Sequence, residues 1–199
     1  MTGNCTMLDP DCFEYYPHFL DQAEADRYLQ SLWQGLCWSQ QEIRMFGRRV
    51  MQPRLIAWYG DPSAGYTYSG LKLEPMAWHP DLLELKNRIE ESAGHGFNSV
   101  LANAYRDGRD SMGWHRDNEP ELGERPFIAS LSLGATRRFL IRPVVASEAE
   151  APRSTGLALG HGSLLIMKGL SQQKYKHSLP KTRRINDLRL NLTFRAIRA

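Results

Sequence analysis

The chain contains 199 residues, of which 42% are hydrophobic and 24% charged, and its formal net charge is +3. This composition predicts one soluble globular domain with a sizeable core. A membrane-spanning helix is excluded because no run of about eighteen apolar residues occurs. The N-terminal residues lack the basic and apolar regions of a secretory signal. The cysteines Cys5, Cys12 and Cys37 have no disulfide or metal-ligand spacing, so we expect a cytoplasmic enzyme or binding protein.

Two helices are predicted in the first half of the chain. Residues 21–36 begin with Asp21 and Glu24, spaced as in a capping box. The apolar stripe of this helix contains Ala25, Leu29, Leu32, Trp33 and Leu36. Residues 80–93 form the second helix, which starts at Pro80 and is followed by Gly94 as a stop. Its stripe contains Leu82, Leu85 and Ile89.

Beyond Gly96 the sequence changes to short β-type runs separated by turn residues. These runs are FNSVLANAY, MGWHRD, FIASLSLG, RRFLIRP, GSLLIMK and LRLNLTFRAI. Residues 143–156 interrupt them and are predicted to form an exposed loop. Helices followed by many short strands predict an α+β fold, a β-sandwich or barrel buttressed by N-terminal helices.

The last predicted strand, DLRLNLTFR, alternates strictly between apolar and polar residues. Its apolar side contains Leu188, Leu190, Leu192 and Phe194, and its polar side contains Arg189, Asn191, Thr193 and Arg195. The polar side has two interpretations. It faces solvent, or it lines a pocket in which the two arginines grip a molecule with a carboxylate at each end. The pattern alone leaves both open.

Basic residues are concentrated in two segments. The segment 44–54, RMFGRRVMQPR, is one of them, and from Lys168 to the end nine Lys and Arg accompany one acid, Asp187. Such runs are usually solvated surface, and they also suit a polyanion such as nucleic acid. Composition does not decide between these interpretations.

The segment GWHRDNE places His115 and Asp117 two residues apart. On a strand both side chains would face the same way, as a hydrogen-bonded pair or as two ligands of a metal ion. The candidates for a third ligand are the other histidines, His18, His79, His95, His161 and His177. His177 lies within YKHSLPKT, and Arg189 follows it twelve residues later. This order is similar to that of the double-stranded β-helix oxygenases that use Fe(II) and 2-oxoglutarate. Two imidazoles and one carboxylate occupy one face of the iron in such sites.

The surrounding segments resemble the AlkB family of nucleic-acid dealkylating dioxygenases. The segments that carry the resemblance are NAYRDGRDSMGWHRDNE, IASLSLGATRRF, HGSLLIMKG, HSLP and RLNLTFR, and they cover roughly residues 40–197 in order. MFGRR, WYGD and YTYSGL resemble the duplex-DNA repair branch. The resemblance implies a single dioxygenase domain over residues 1–199. Residues 1–95 would supply helices and nucleotide-recognition segments, and residues 96–199 the double-stranded β-helix (jelly-roll) core.

The resemblance also implies a role for individual residues. The implied iron ligands are His115, Asp117 and His177, with Arg116 pointing to the opposite side. The implied 2-oxoglutarate residues are Asn103, Tyr105, Arg189, Asn191, Thr193 and Arg195; Arg189 would pair with the distal carboxylate, and Arg195 would also serve catalysis. The implied substrate contacts are Phe46, Arg48, Tyr66, Tyr68, Glu119 and Arg142. The polar side of DLRLNLTFR should therefore face into the barrel.

The implied reaction is oxidative demethylation of 1-methyladenine and 3-methylcytosine in single- or double-stranded DNA. Fe(II) is the implied metal, with 2-oxoglutarate and O₂ as co-substrates and succinate, CO₂ and formaldehyde as products. Flipping such a base is eased by its weakened pairing. RNA demethylation is the first alternative, and a non-catalytic nucleic-acid-binding protein is the second. We expect a monomer in the cytoplasm, associated with the nucleoid if the source is bacterial.

Overall fold

The fold is built on two antiparallel sheets. The computed structural model describes residues 8–45, 48–68, 71–145 and 153–198, without the side chains of 43–45, 48, 66–68 and 71–73. The major sheet has the strand order β1 (Phe13–Tyr16), β12 (Ser163–Met167), β9 (Ile128–Gly134), β14 (Arg189–Arg195), β7 (Ser99–Tyr105) and β4 (Leu55–Gly60). The minor sheet has the order β11 (Thr155–Leu159), β10 (Arg137–Pro143), β13 (Tyr175–Leu179) and β8 (Met112–His115).

Two hairpins and several helices complete the described structure. The hairpins are β2 (Glu42–Met45) with β3 (Arg48–Met51), and β5 (Tyr66–Tyr68) with β6 (Leu71–Leu73). The α-helices are α1 (Gln22–Gly35), α2 (Pro80–Ala93) and the short α3 (Ser171–Lys174), and 3₁₀ turns occupy Pro62–Ala64 and Pro120–Leu122. Among the described residues, no helix is long and apolar enough to cross a membrane.

Both predicted long helices are confirmed within one residue at each end. Asp21 caps α1: its carboxylate accepts from the Glu24 N–H at 2.8 Å, and the Glu24 carboxylate accepts from the Asp21 N–H at 3.0 Å. Gly94 ends α2 in the left-handed conformation, at φ 62°. One stripe residue was wrong, because Trp33 is 38% exposed and packs against Trp38 with ring centroids 5.9 Å apart. Tyr28 is the buried aromatic of α1 instead.

The main core lies between the major sheet and helices α1 and α2. It combines Leu32 of α1 and Leu85 of α2 with the apolar side of β14, which comprises Leu190, Leu192 and Phe194. Helices on the outer face of one of two antiparallel sheets confirm the predicted α+β class with a double-stranded β-helix core.

Strands from the first half of the chain also belong to the major sheet. β1 pairs with β12 and β4 pairs with β7, so residue 95 does not separate helices from strands. Both segments join the sheet through hydrogen bonds to strands that are distant in the sequence. The predicted loop 143–156 overlaps the last residue of β10 and the first two residues of β11, and its residues 146–152 lie outside the described part of the chain.

Candidate active site

The polar side of β14 faces a cavity of about 220 Å³ between the two sheets. All four polar residues of that strand, Arg189, Asn191, Thr193 and Arg195, line this cavity. The opposite side of the strand is fully buried in the main core. The ambiguity in the sequence pattern is therefore resolved in favour of a pocket, and the solvent-facing interpretation is wrong.

His115, Asp117 and His177 meet at one end of this cavity. One ligand atom from each residue lies within 4.8 Å of the other two. The Nε2 atoms of His115 and His177 are 3.1 Å apart, and His115 Nε2 lies 3.9 Å from Asp117 Oδ1. Arg116, between the first two residues, is exposed, as expected from the sequence. Two imidazoles and a carboxylate at these separations form a donor set for one divalent metal ion.

Neighbouring strands orient the two imidazoles. His115 on β8 is the cross-strand partner of His177 on β13. The His115 Nδ1 lies 3.0 Å from the Gly113 carbonyl oxygen, and a hydrogen bond there leaves Nε2 free for a metal. Phe139 stacks on the His177 ring at 5.2 Å. Burial, with a contribution from His115, lowers the pKa of His177 to about 4, so its imidazole is neutral at physiological pH.

Asp117 is positioned by buried contacts and not by strand alternation. Strand β8 ends at His115, so the expectation that both residues lie on one strand was wrong. The Asp117 N–H donates to Gln172 Oε1 at 2.9 Å, and Arg195 Nη2 donates to Asp117 Oδ1 at 3.0 Å. Burial alone would raise the pKa of Asp117, but the positive charge of the nearby Arg195 lowers that pKa below its usual value.

Arg189 lies at the other end of the cavity without a carboxylate partner among the described residues. It is 2% exposed, and its Nη2 donates to Ser132 Oγ at 2.9 Å. Its Nε is buried and has no hydrogen-bond acceptor in the described structure. Burial lowers the pKa of Arg189 to about 10, and the Tyr105 ring lies 5.3 Å from its guanidinium carbon. A buried guanidinium with an unused donor is suited to an anion.

Two amides line the cavity between these ends. Asn191 donates to Ser130 Oγ at 2.8 Å and to the Leu131 carbonyl at 3.1 Å, which ties β14 to β9. The Thr193 hydroxyl lies 3.4 Å from Asn191 Oδ1. Across the sheet, Asn103 is paired with Asn191 in register. The cavity thus joins a metal donor set to a buried cation through a row of fixed polar groups.

The comparisons with known proteins agree with this arrangement. The family model described as "2OG-Fe(II) oxygenase superfamily" matches residues 13–195. The human alpha-ketoglutarate-dependent dioxygenase alkB homolog 3 is 46% identical over 187 residues, which are 92% of this chain and 65% of that protein. The mouse DNA oxidative demethylase ALKBH2 is 41% identical over 189 residues, covering 92% of this chain and 79% of that protein.

This chain belongs to the AlkB family. The prediction of the family from the sequence is confirmed, and the chain spans about two thirds of the human relative's length. Solved structures agree on the fold. OsALKBH1 has a TM-score of 0.64 at 22% identity, covering 94% of this chain and 99% of that one. A Trichoplax adhaerens prolyl hydroxylase bound to a peptide fragment has a TM-score of 0.64 at 15% identity, covering 94% and 84%.

Of the six substrate contacts predicted from the AlkB resemblance, one lines the cavity, one does not, and the side chains of the other four lie outside the described residues. Glu119 is exposed and lines the cavity. Arg142 does not line the cavity; its guanidinium lies 4.3 Å from the Trp114 ring, on the opposite side of β10 from the buried Ile141. Phe46 and the side chains of Arg48, Tyr66 and Tyr68 lie outside the described residues. All six substrate roles stay predictions.

Two further residues of the AlkB site were not predicted from the sequence. Arg54 lines the cavity at 8% exposure and donates from Nε to Asn103 Oδ1 at 2.7 Å. The sequence shows it only as one of several cations in the segment 44–54. Gln172, which holds the Asp117 backbone, is 2% exposed on α3. The sequence did not indicate that Gln172 is buried, because it is a polar residue in a short segment between two strands.

Proposed function

We propose that this protein is an Fe(II)- and 2-oxoglutarate-dependent demethylase that removes N-methyl groups from 1-methyladenine and 3-methylcytosine in DNA. The observation that carries the proposal is the pairing of two features in one cavity. Three metal-ligating side chains converge at one end, and the buried Arg189, without a carboxylate partner among the described residues, lies at the other. A cavity with both features fits a metal ion and a dicarboxylic acid together.

The donor set fits ferrous iron. His115 and His177 supply imidazole nitrogens, and Asp117 supplies a carboxylate that its neighbours keep ionised. Two histidines and one carboxylate are the ligand types of non-haem Fe(II) oxygenases, in which the metal activates O₂. Arg195 would hold the Asp117 carboxylate by its hydrogen bond, and Gln172 would fix the backbone. These outer contacts keep the third ligand in place.

The opposite end fits the distal carboxylate of 2-oxoglutarate. Arg189 has an unused buried Nε donor, and an oxygen anion there would satisfy it. Its planar guanidinium can bind a carboxylate through two parallel hydrogen bonds. The keto-acid end of the molecule would then point along Asn191 and Thr193 toward the metal ligands.

A methylated base would enter on the side of the cavity where Glu119 is exposed. Methylation at N1 of adenine or N3 of cytosine makes the base cationic and blocks its pairing edge. A carboxylate at the cavity would favour the cation over the normal base, and the weaker pairing would lower the cost of flipping it out. The name of the mouse relative, a DNA oxidative demethylase, supports DNA as the substrate class.

The test is mass spectrometry of an oligonucleotide containing one 1-methyladenine. The protein is incubated with Fe(II), ascorbate and 2-oxoglutarate, and a loss of 14 mass units, about that of one CH₂ group, is expected together with succinate and formaldehyde. Omitting 2-oxoglutarate is the control. An unchanged oligonucleotide in the complete mixture, with folded protein, would contradict the proposal. A matched RNA oligonucleotide in parallel decides whether RNA is also a substrate.

A further inference from the structure

A second buried arginine, Arg137, lies behind the cavity. It begins strand β10 and is 2% exposed, but it does not line the cavity. Tyr105 connects it to the site. The guanidinium carbon of Arg137 lies 5.8 Å from the centroid of the Tyr105 ring, and that of Arg189 lies 5.3 Å from the same centroid. Two buried cations therefore lie close to one phenol ring that lines the cavity.

The hydrogen bonds of Arg137 connect two loops. Its guanidinium donates to the carbonyl oxygens of Asp107 at 3.0 Å, Asp110 at 2.9 Å and Pro180 at 2.8 Å. The first two carbonyls belong to the loop after β7, and the third to the loop after β13. The carboxylates of Asp107 and Asp110 are bonded to arginines of their own loop. Among the described residues, no carboxylate forms an ion pair with Arg137.

Burying the guanidiniums of both Arg137 and Arg189 costs free energy unless an anion binds near them. Burial lowers the pKa of Arg137, and burial together with the charge of Arg137 lowers the pKa of Arg189. Tyr105 offsets part of this effect at both arginines, and the Asp110 and Asp107 carboxylates offset part of it at Arg137. A carboxylate bound at Arg189 would offset the repulsion between the two guanidiniums. The affinity for a dicarboxylic acid therefore depends on Arg137 as well as on Arg189, which would bind the carboxylate directly.

We propose that Arg137 is a positioning residue for the distal carboxylate of 2-oxoglutarate, acting through Tyr105. It holds the Tyr105 ring and the loops after β7 and β13 in place, and it adds a second positive charge near Arg189. This inference rests on the proposed use of 2-oxoglutarate. A purely structural role for Arg137, as a tie between two loops, is the competing explanation, and the charge distinguishes the two.

The experiment compares Arg137→Gln and Arg137→Lys with Arg138→Gln. Arg138 is the adjacent position on β10 and is exposed, so its variant controls for the loss of an arginine from the same strand. Binding of 2-oxoglutarate is measured by calorimetry on Mn(II)-loaded protein, so that turnover is not needed. We expect Arg137→Gln to raise the Kd about fivefold to tenfold, as for one partly screened charge interaction. Arg137→Lys, which keeps the charge but loses the planar donor geometry, should give a smaller increase.

Kinetics and a double-mutant cycle complete the test. Arg137→Gln should raise the KM for 2-oxoglutarate while kcat stays within about twofold, because the metal end of the cavity is untouched. Tyr105→Phe, which keeps the ring, should change the Kd less in the Arg137→Gln background than in the wild type. Additive effects would show that Arg137 does not act through Tyr105 and would overturn the inference.

The outcomes separate this inference from the proposed function. A wild-type protein that does not bind 2-oxoglutarate would overturn both. A wild type that binds it, with a folded Arg137→Gln variant that binds it equally tightly, would overturn the role of Arg137 alone. If Arg137→Gln does not fold, Arg137→Met, which also removes the charge, decides in the same way. A lower melting temperature with an unchanged Kd would show that Arg137 is only a structural tie.

Discussion

Asp117 combines two interactions that no other described residue of the site combines. Its carboxylate contributes to the candidate metal donor set and also accepts a hydrogen bond from Arg195. Replacing Asp117 with Ala would remove the anionic ligand and leave a buried guanidinium without its carboxylate. Loss of a group that hydrogen-bonds a metal ligand typically costs about 10- to 100-fold in metal affinity or activity, so loss of the ligand itself should cost at least about 100-fold.

The first prediction is therefore that Asp117→Ala abolishes demethylation and retains the fold. Demethylation is measured by oligonucleotide mass spectrometry and the fold by circular dichroism. Arg116→Ala is the matched control, because Arg116 is the adjacent exposed residue. Full activity of Asp117→Ala would remove Asp117 from the ligand set.

The second prediction concerns Arg189. In Arg189→Lys a point ammonium replaces a planar fork, so the KM for 2-oxoglutarate should rise by about 30-fold, equivalent to about 2 kcal/mol for a charge-assisted hydrogen bond. Steady-state kinetics with varied 2-oxoglutarate measure this change. Arg198→Lys, an exposed position near the end of the chain, is the control. An unchanged KM in Arg189→Lys would place the distal carboxylate elsewhere.

At the scale of the elements, the hairpin formed by β2 and β3 carries the third prediction. The resemblance places an apolar residue at its tip, Phe46, to fill the gap that a flipped base leaves in a duplex. Phe46→Ala should lower activity on double-stranded DNA much more than on single-stranded DNA. Only a duplex has an empty position among its stacked base pairs after a base is flipped out. Met51→Ala is the control, since Met51 is an exposed apolar residue of the same hairpin.

The measurement is the kcat/KM ratio for a matched duplex and single strand. If Phe46→Ala reduces both values equally, Phe46 packs within the protein and does not enter the duplex. Met51→Ala should leave the ratio unchanged, which separates a specific role of the tip from a general loss of apolar surface on the hairpin.

The elements that the sequence predicts are those in which local signals agree with the tertiary contacts. Helix α1 combines a capping box with an apolar stripe, and β14 alternates along its whole length. β1 and β4 were missed as sheet strands because their position depends on hydrogen bonds to β12 and β7, distant in the chain. Periodicity reports which side of an element is apolar, and it carries no information about which partner strand that element joins.

The same distinction holds for the site. His115, His177 and Arg189 could be recognised because their order and spacing match a known pattern. Gln172 and Arg137 could not, because their roles arise from contacts across the fold, one to the Asp117 backbone and the other to three carbonyl groups. Nothing in a single sequence distinguishes a buried arginine from the exposed Arg138 beside it.

For the whole molecule, the distribution of charge leads to the fourth prediction. The basic segments favour binding to a phosphate backbone. The sequence between β10 and β11 contains Glu148 and Glu150, which lie outside the described part of the chain and cannot neutralise the phosphates of a second strand. We expect activity on both single- and double-stranded DNA, with kcat/KM values that differ by less than about tenfold, equivalent to 1.4 kcal/mol. Binding should weaken as salt increases. Activity confined to duplex DNA would contradict this prediction.

The pairing of His115 with His177 has a consequence for the integrity of the minor sheet. β8 is the edge strand of that sheet and is joined to β13 by an irregular register with a shift between His177 and Leu179. A metal ion held by both histidines would fasten the edge strand to its neighbour. We therefore expect the amides of Met112–His115 to exchange with solvent deuterium more slowly in Mn(II) than in EDTA, with the central strand β9 unaffected.

Equal exchange of the β8 amides in both conditions would show that the strand is held without the metal. The expected difference would make metal loss a local opening event, in which the edge of the sheet becomes available to proteases and to other chains. Iron supply would then govern how long the protein survives in a cell as well as how fast it turns over.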